Sequence, residues 1–112
     1  MVDQTRPRNI IIFEDANGKE PFTKWLKGLR DAKARARIMQ RLRMVERGHF
    51  GDAKSLGGNL YELRFFFGSG YRVYFGDYRK DLVVLHLGGD KSGQNRDINK
   101  AQSYWAEYLK NE

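Results

Sequence analysis

The 112-residue chain has no cysteine, which removes disulfides and thiolate chemistry from consideration. No apolar run approaches the roughly 20 residues of a membrane-spanning helix. The opening MVDQTRPRN lacks the charged-then-apolar order of a secretion signal, so a cytoplasmic location is expected. Histidine is scarce, with only His49 and His86. There is no Cys/His or HExxH cluster, and no metal or cofactor is expected. The GGDKSGQ segment lacks the glycine–lysine spacing of a phosphate loop. Repeats, linkers and low-complexity tracts are also missing, and the length fits one domain over residues 1–112 with a core of useful size.

What the chain has in excess is positive charge. Its 21 Lys/Arg against 14 Asp/Glu give a formal charge of +7, which suits a polyanionic partner. The excess is uneven: residues 1–59 hold 13 basic against 7 acidic side chains, and residues 60–112 hold 8 against 7.

Hydrophobic periodicity supplies the elements. RNIIIFE (8–14) reads as a first strand, ended by the turn pair Asn17-Gly18. Pro21 suits a helix start, and Phe22, Trp25, Leu26 and Leu29 form one stripe, so both Trp25 and Trp105 are expected in the core. Asp31 is placed to cap a second helix with Ala34, Ile38, Leu42 and Val45 inward, Lys33, Arg37, Arg43 and Arg47 outward, and Gly48 as its stop. GHFGDAKSLGGN reads as a loop. YELRFFF, GYRVYF and LVVLHLG follow as three strands, and Ile98, Ala101, Trp105, Tyr108 and Leu109 recur at helical spacing near the end.

Alternation along the three strands places Tyr61, Leu63, Phe65, Phe67, Tyr71, Val73, Phe75, Val83, Leu85 and Leu87 on an oily face. The other face carries Arg64, Arg72, Tyr74 and His86. A three-residue loop at Gly68–Gly70 would set Arg64 opposite Tyr74, and a five-residue loop over Asp77–Asp81 would set Arg72 opposite His86. The expected fold is α+β, ordered β-α-α-β-β-β-α, with helices over one sheet face and the polar face exposed.

In element order, and most specifically in LYELRFFFGSGYRVYF followed by LVVLHLGGDKSGQNRDINKA, the chain resembles the RelE/ParE superfamily of toxins from type II toxin–antitoxin modules. It is most similar to the HigB-like addiction-module killer proteins. The resemblance implies a RelE-like fold, a cognate antitoxin, and one of two activities: ribosome-dependent cleavage of messenger RNA, or ParE-like inhibition of DNA gyrase without cleavage. Arg72 matches the arginine that supports the reacting phosphate in the RNA-cleaving branch. Arg64 and Lys91 match basic positions on the preceding strand and after the last one. The tyrosine that RelE-like enzymes place after that last basic residue is replaced here by Asp97.

Metal-independent attack by an RNA 2′-hydroxyl needs a base, charge stabilisation at phosphorus and an acid. Arg72 and Arg64 suit the phosphate, and His86 is the strand residue whose ordinary pKa of roughly 6.5 suits proton transfer. Tyr74 or Lys91 would serve the leaving oxygen. Lys54 and Arg79, with Lys91, fit a phosphate-tracking rim. Lys33 and Arg37 would contact ribosomal RNA or an acidic antitoxin segment. The leading expectation is a messenger-cleaving toxin, followed by a gyrase inhibitor and then a non-toxic RNA-binding module.

Overall fold

The computed structural model describes residues 8–112, so the reading of MVDQTRPRN as carrying no secretion signal lies almost wholly outside the described residues. Strand β1 (Asn9–Ile12) is followed by α1 (Pro21–Gly28), α2 (Ala32–Glu46), β2 (Ala53–Gly57), β3 (Leu60–Arg64), β4 (Arg72–Tyr78), β5 (Asp81–Gly88), a 3₁₀ turn (Lys91–Gly93) and α3 (Gln94–Lys110). The architecture is α+β: a mixed five-stranded sheet, ordered β1-β5-β4-β3-β2, with three helices. Among the described residues only β1 and β5 pair in parallel. Among the described residues no helix is long and apolar enough to cross a membrane.

Local chemistry sets the helix ends. Pro21 opens α1, where its missing N–H costs nothing. The Asp31 carboxylate accepts hydrogen bonds from the Lys33 and Ala34 backbone amides at the start of α2. Gly48, at φ 93°, ends that helix in the left-handed region that glycine enters without Cβ strain. The expected stripe of Ala34, Ile38, Leu42 and Val45 is buried.

The segment expected as a loop contains β2, an edge strand that pairs Ala53 with Leu63 and Lys54 with Glu62. Its sequence, AKSLG, has too little apolar alternation to announce a strand. The long ladder of β3 supplies the partner that makes it one.

Both hairpin registers differ from expectation. Arg64 lies opposite Arg72, and Glu62 opposite Tyr74, a shift of two residues that preserves the faces. The Phe65 amide donates to the Tyr71 carbonyl, and Phe66 is thrown outward at 83% exposure. At the next turn Tyr78 pairs with Asp81, so the connection is only Arg79-Lys80, with Arg79 at φ 57°. A bulge between Tyr74 and Phe75 then brings Tyr74 opposite His86 and Arg72 opposite Gly88.

That bulge reverses the alternation of half of β5. Val83 and Leu85, expected with Leu87, lie on the opposite face beside Tyr74, Leu60, Ala101 and Trp105. Leu82 and Val84 join Leu87, Leu63, Val73 and Phe75 beneath α1 and α2. The expected exposed sheet face is therefore covered: α3 packs over it, and its central positions, Glu62, Tyr74 and His86, are fully buried. The apolar residues that the bulge moves to this side give α3 a surface to bury.

Gly76 marks the closest approach of that helix, for a Cβ built there would meet the Trp105 ring at 2.3 Å. Gly76→Ala is expected to lower unfolding free energy by about 1–3 kcal/mol through overpacking. Urea denaturation of the two proteins measures this directly.

Candidate functional site

A buried carboxylate organises the polar end of the sheet. Glu62 is inaccessible to solvent, and its Oε2 accepts hydrogen bonds from the Tyr74 hydroxyl at 3.0 Å and Gln94 Nε2 at 3.2 Å. Arg72 Nε stands 3.8 Å from the same oxygen, with its side chain 13% exposed. Arg72 Nη1 donates to the Gly70 carbonyl, while Nε has no hydrogen-bond partner among the described residues. The guanidinium is thus oriented by a charge and a backbone oxygen, with its buried Nε turned toward Glu62.

Arg64, directly across the ladder, is held away from Arg72 by Asp52, with Nη2 2.8 Å from the carboxylate oxygen. Separate carboxylates let two like charges sit opposite one another. The ion pair of Arg64 is substantially open to solvent.

His86 has the surroundings of a structural ring. It is fully buried, stacks on Tyr74 with centroids 4.7 Å apart, and is enclosed by Trp25 at 5.1 Å and Tyr104 at 5.6 Å. Neither ring nitrogen has a hydrogen-bond partner among the described residues. Burial, aided by the Lys100 charge, lowers its pKa to about 4; the nearby Asp97 backbone partly opposes this without reaching hydrogen-bond geometry. Tyr74 is buried too. Burial, then the charge of Glu62, holds its hydroxyl far above the ordinary phenol range.

The expected open constellation of Arg64, Arg72, Tyr74 and His86 is therefore corrected. They share a sheet face, but α3 closes over Tyr74 and His86, leaving only the two arginines partly exposed. Lys91 is exposed on the turn before α3, and Lys54 is exposed on β2 opposite Glu62. Arg79 sits at the far end of β4 from Arg72, stacked over Tyr78. Arg37 stacks over Phe67, and Lys33 is exposed at the start of the same helix.

Beside this polar group a cleft of about 460 Å³ opens between α1 and the start of α3. Trp25, expected in the core, is half-buried and forms one wall, with Lys100 Nζ 5.2 Å from its ring centroid. Trp105 is in the core as expected. Arg96 and Asp97 also line the cleft, and no histidine does. Among the described residues no group of three or more His, Asp or Glu comes together as a metal site.

Sequence reasoning passed over Gln94, Arg96 and Lys100, and met Asp97 only as the residue standing in place of the family's tyrosine. The signal was there for two of them: the inward stripe of α3, followed back from Trp105 and Ala101, reaches Asp97 and Gln94, polar residues where an apolar side chain is expected. Asp97 is 7% exposed.

An uncharacterized protein of Haemophilus influenzae is 43% identical to this chain over 81 residues, covering 72% of the chain and 82% of that protein. The chain matches no protein-family profile and no solved structure.

Glu62→Ala leaves Arg72 without its buried counter-charge and Tyr74 and Gln94 without an acceptor. The expected loss of stability is about 3 kcal/mol or more, read by chemical denaturation. The lowered pKa of His86 makes a second expectation. Above the unfolded-state value of roughly 6.5 its contribution is constant; below it the unfolded chain takes up a proton that the folded one resists. Stability should fall by about 3 kcal/mol between pH 6.5 and 4, at 1.36 kcal/mol per pH unit. Urea midpoints across that window should lose this component in His86→Phe, which keeps a ring but cannot titrate.

Proposed function

We propose, for a chain that belongs to the same family as the uncharacterized Haemophilus influenzae protein, the function of a toxin–antitoxin module toxin acting as a ribosome-dependent endoribonuclease on messenger RNA. The observation that carries this reading is Arg72, partly exposed and oriented by Glu62 and the Gly70 carbonyl. A planar cation so held suits the two non-bridging oxygens of a phosphodiester, and gains most as negative charge develops there. Lys91, exposed just before α3, supplies the proton to the departing 5′-oxygen. Lys54 and Arg64 track the backbone on either side. The 2′-hydroxyl gives up its proton to solvent water as it attacks phosphorus, and the bond to the 5′-oxygen breaks as Lys91 protonates it, leaving a 2′,3′-cyclic phosphate in a metal-independent step.

His86 has no part in proton transfer here. Its burial excludes both substrate and water, and its role is to hold the aromatic layer beneath the cleft. A cognate antitoxin with an acidic segment is the expected partner, neutralising the basic surface before it meets RNA.

A second reading, inhibition of DNA gyrase without cleavage, is favoured by one observation: no histidine lines the cleft, and the one on β5 is sealed. Mapping messenger 5′ ends after induction separates the two. Cleavage within translated codons is expected, reduced at least 100-fold in Arg72→Ala, equivalent to about 2.7 kcal/mol of transition-state stabilisation. Intact messages together with blocked supercoiling by purified gyrase would establish the second reading in its place.

A further inference from the structure

Asp97 is a carboxylate in the first turn of α3 that the proposed reaction does not use. Its residue is 93% buried by the 7% exposure of the whole side and main chain. It lines the cleft between α1 and α3, and its carboxylate has no hydrogen-bond or ion-pair partner among the described residues. Arg96 and Lys100 stand on the same rim without closing on it. Room for the group is provided by Gly88, where a Cβ would lie 2.7 Å from Asp97 Oδ2. Its oxygens therefore meet only the cleft, and the natural complement of an acceptor-only group so placed is a ligand that brings donors.

The remaining walls say what kind. Trp25, Tyr71 and Leu87 give the cleft apolar and aromatic surface, and Gly88-Gly89 leaves one side without side chains. Flat apolar walls suit a planar ring. The cations at the rim suit an attached phosphate and repel a basic peptide or polyamine. An ionised carboxylate only accepts hydrogen bonds. Among the nucleobases, guanine alone offers two parallel donors on its Watson–Crick edge, N1–H and N2–H, at the spacing of two carboxylate oxygens. Adenine, cytosine and uracil present an acceptor beside each donor, which would face a carboxylate oxygen unfavourably.

We infer that this cleft is a guanine-binding subsite, with Asp97 accepting from N1–H and N2–H and the base lying against Trp25. The inference extends the ribonuclease reading by naming a base its RNA presents, and it rests on that reading for the choice of RNA over a free nucleotide. Arg96 and Lys100 hold the phosphates that flank the base. Stacking on aromatic faces and reading of an unpaired Watson–Crick edge are how single-stranded RNA is recognised.

Titration of the purified protein with the RNA trinucleotides UGU, UAU and UIU, where inosine lacks the 2-amino group, and with GMP tests this by tryptophan fluorescence, since Trp25 lines the cleft. UGU is expected to bind at least tenfold more tightly than UIU and UAU, and more tightly than GMP. Asp97→Asn should remove the preference, lowering UGU affinity while UAU binds at least as tightly as before, which a general loss of structure would not do. Equal binding of UGU and UIU by the unaltered protein overturns the inference, as does a preference that survives Asp97→Asn or a failure to bind any of the four. GMP binding as tightly as UGU overturns RNA as the source of the base. Messages cut in cells alongside equal UGU and UIU affinity would remove the subsite and keep the ribonuclease; a guanine preference with intact messages would do the reverse.

Discussion

The arrangement depends on one buried carboxylate. Glu62 sits in the middle of β3 with no access to water, and a charge in that position is tolerable only if several donors surround it. Its three partners come from two elements: Tyr74 and Arg72 on β4 and Gln94 at the first turn of α3. Satisfying Glu62 therefore fixes the β3–β4 register at Glu62 opposite Tyr74 and docks the start of α3 on the sheet. Such a network specifies one arrangement, because any slip strands a charge.

The functional geometry follows from that docking. With α3 held at its N-terminal end by Gln94 and along its length by Ala101 and Trp105, the face bearing Tyr74 and His86 becomes interior. What stays reachable lies around the margin: Arg72 partly exposed, Lys91 on the turn, and the cleft against α1 with Trp25, Asp97 and Lys100. Histidine fits the interior because the aromatic layer of Trp25, Tyr74 and Tyr104 favours its neutral ring. Under the proposed function, phosphate recognition falls to the arginine and lysine side chains left at this margin.

Element types were legible where a single period dominated. The stripe of α2, its Asp31 cap and its Gly48 stop read directly, because they depend on contacts within a few residues. The sharing of a face by Arg64, Arg72, Tyr74 and His86 was legible for the same reason: a register shift of two residues leaves a period-two pattern untouched. Strand β2 was not legible, since AKSLG becomes a strand only by pairing with β3. Nor was the burial of that polar face, for alternation assigns residues to sides without saying what covers them.

By itself, the sequence determined the α+β composition, the caps and stripes of the helices, the polar character of one sheet face and the basic balance of the chain. All of these arise from interactions between neighbours or from charge alone. Tertiary structure decided the rest: the bulge that turns Val83 and Leu85 toward α3, the closing of that helix over His86, and the meeting of Glu62 with Gln94 across 32 positions of chain. Each of these requires segments distant in sequence to compete for the same space, and packing resolves that competition only when the whole chain is folded.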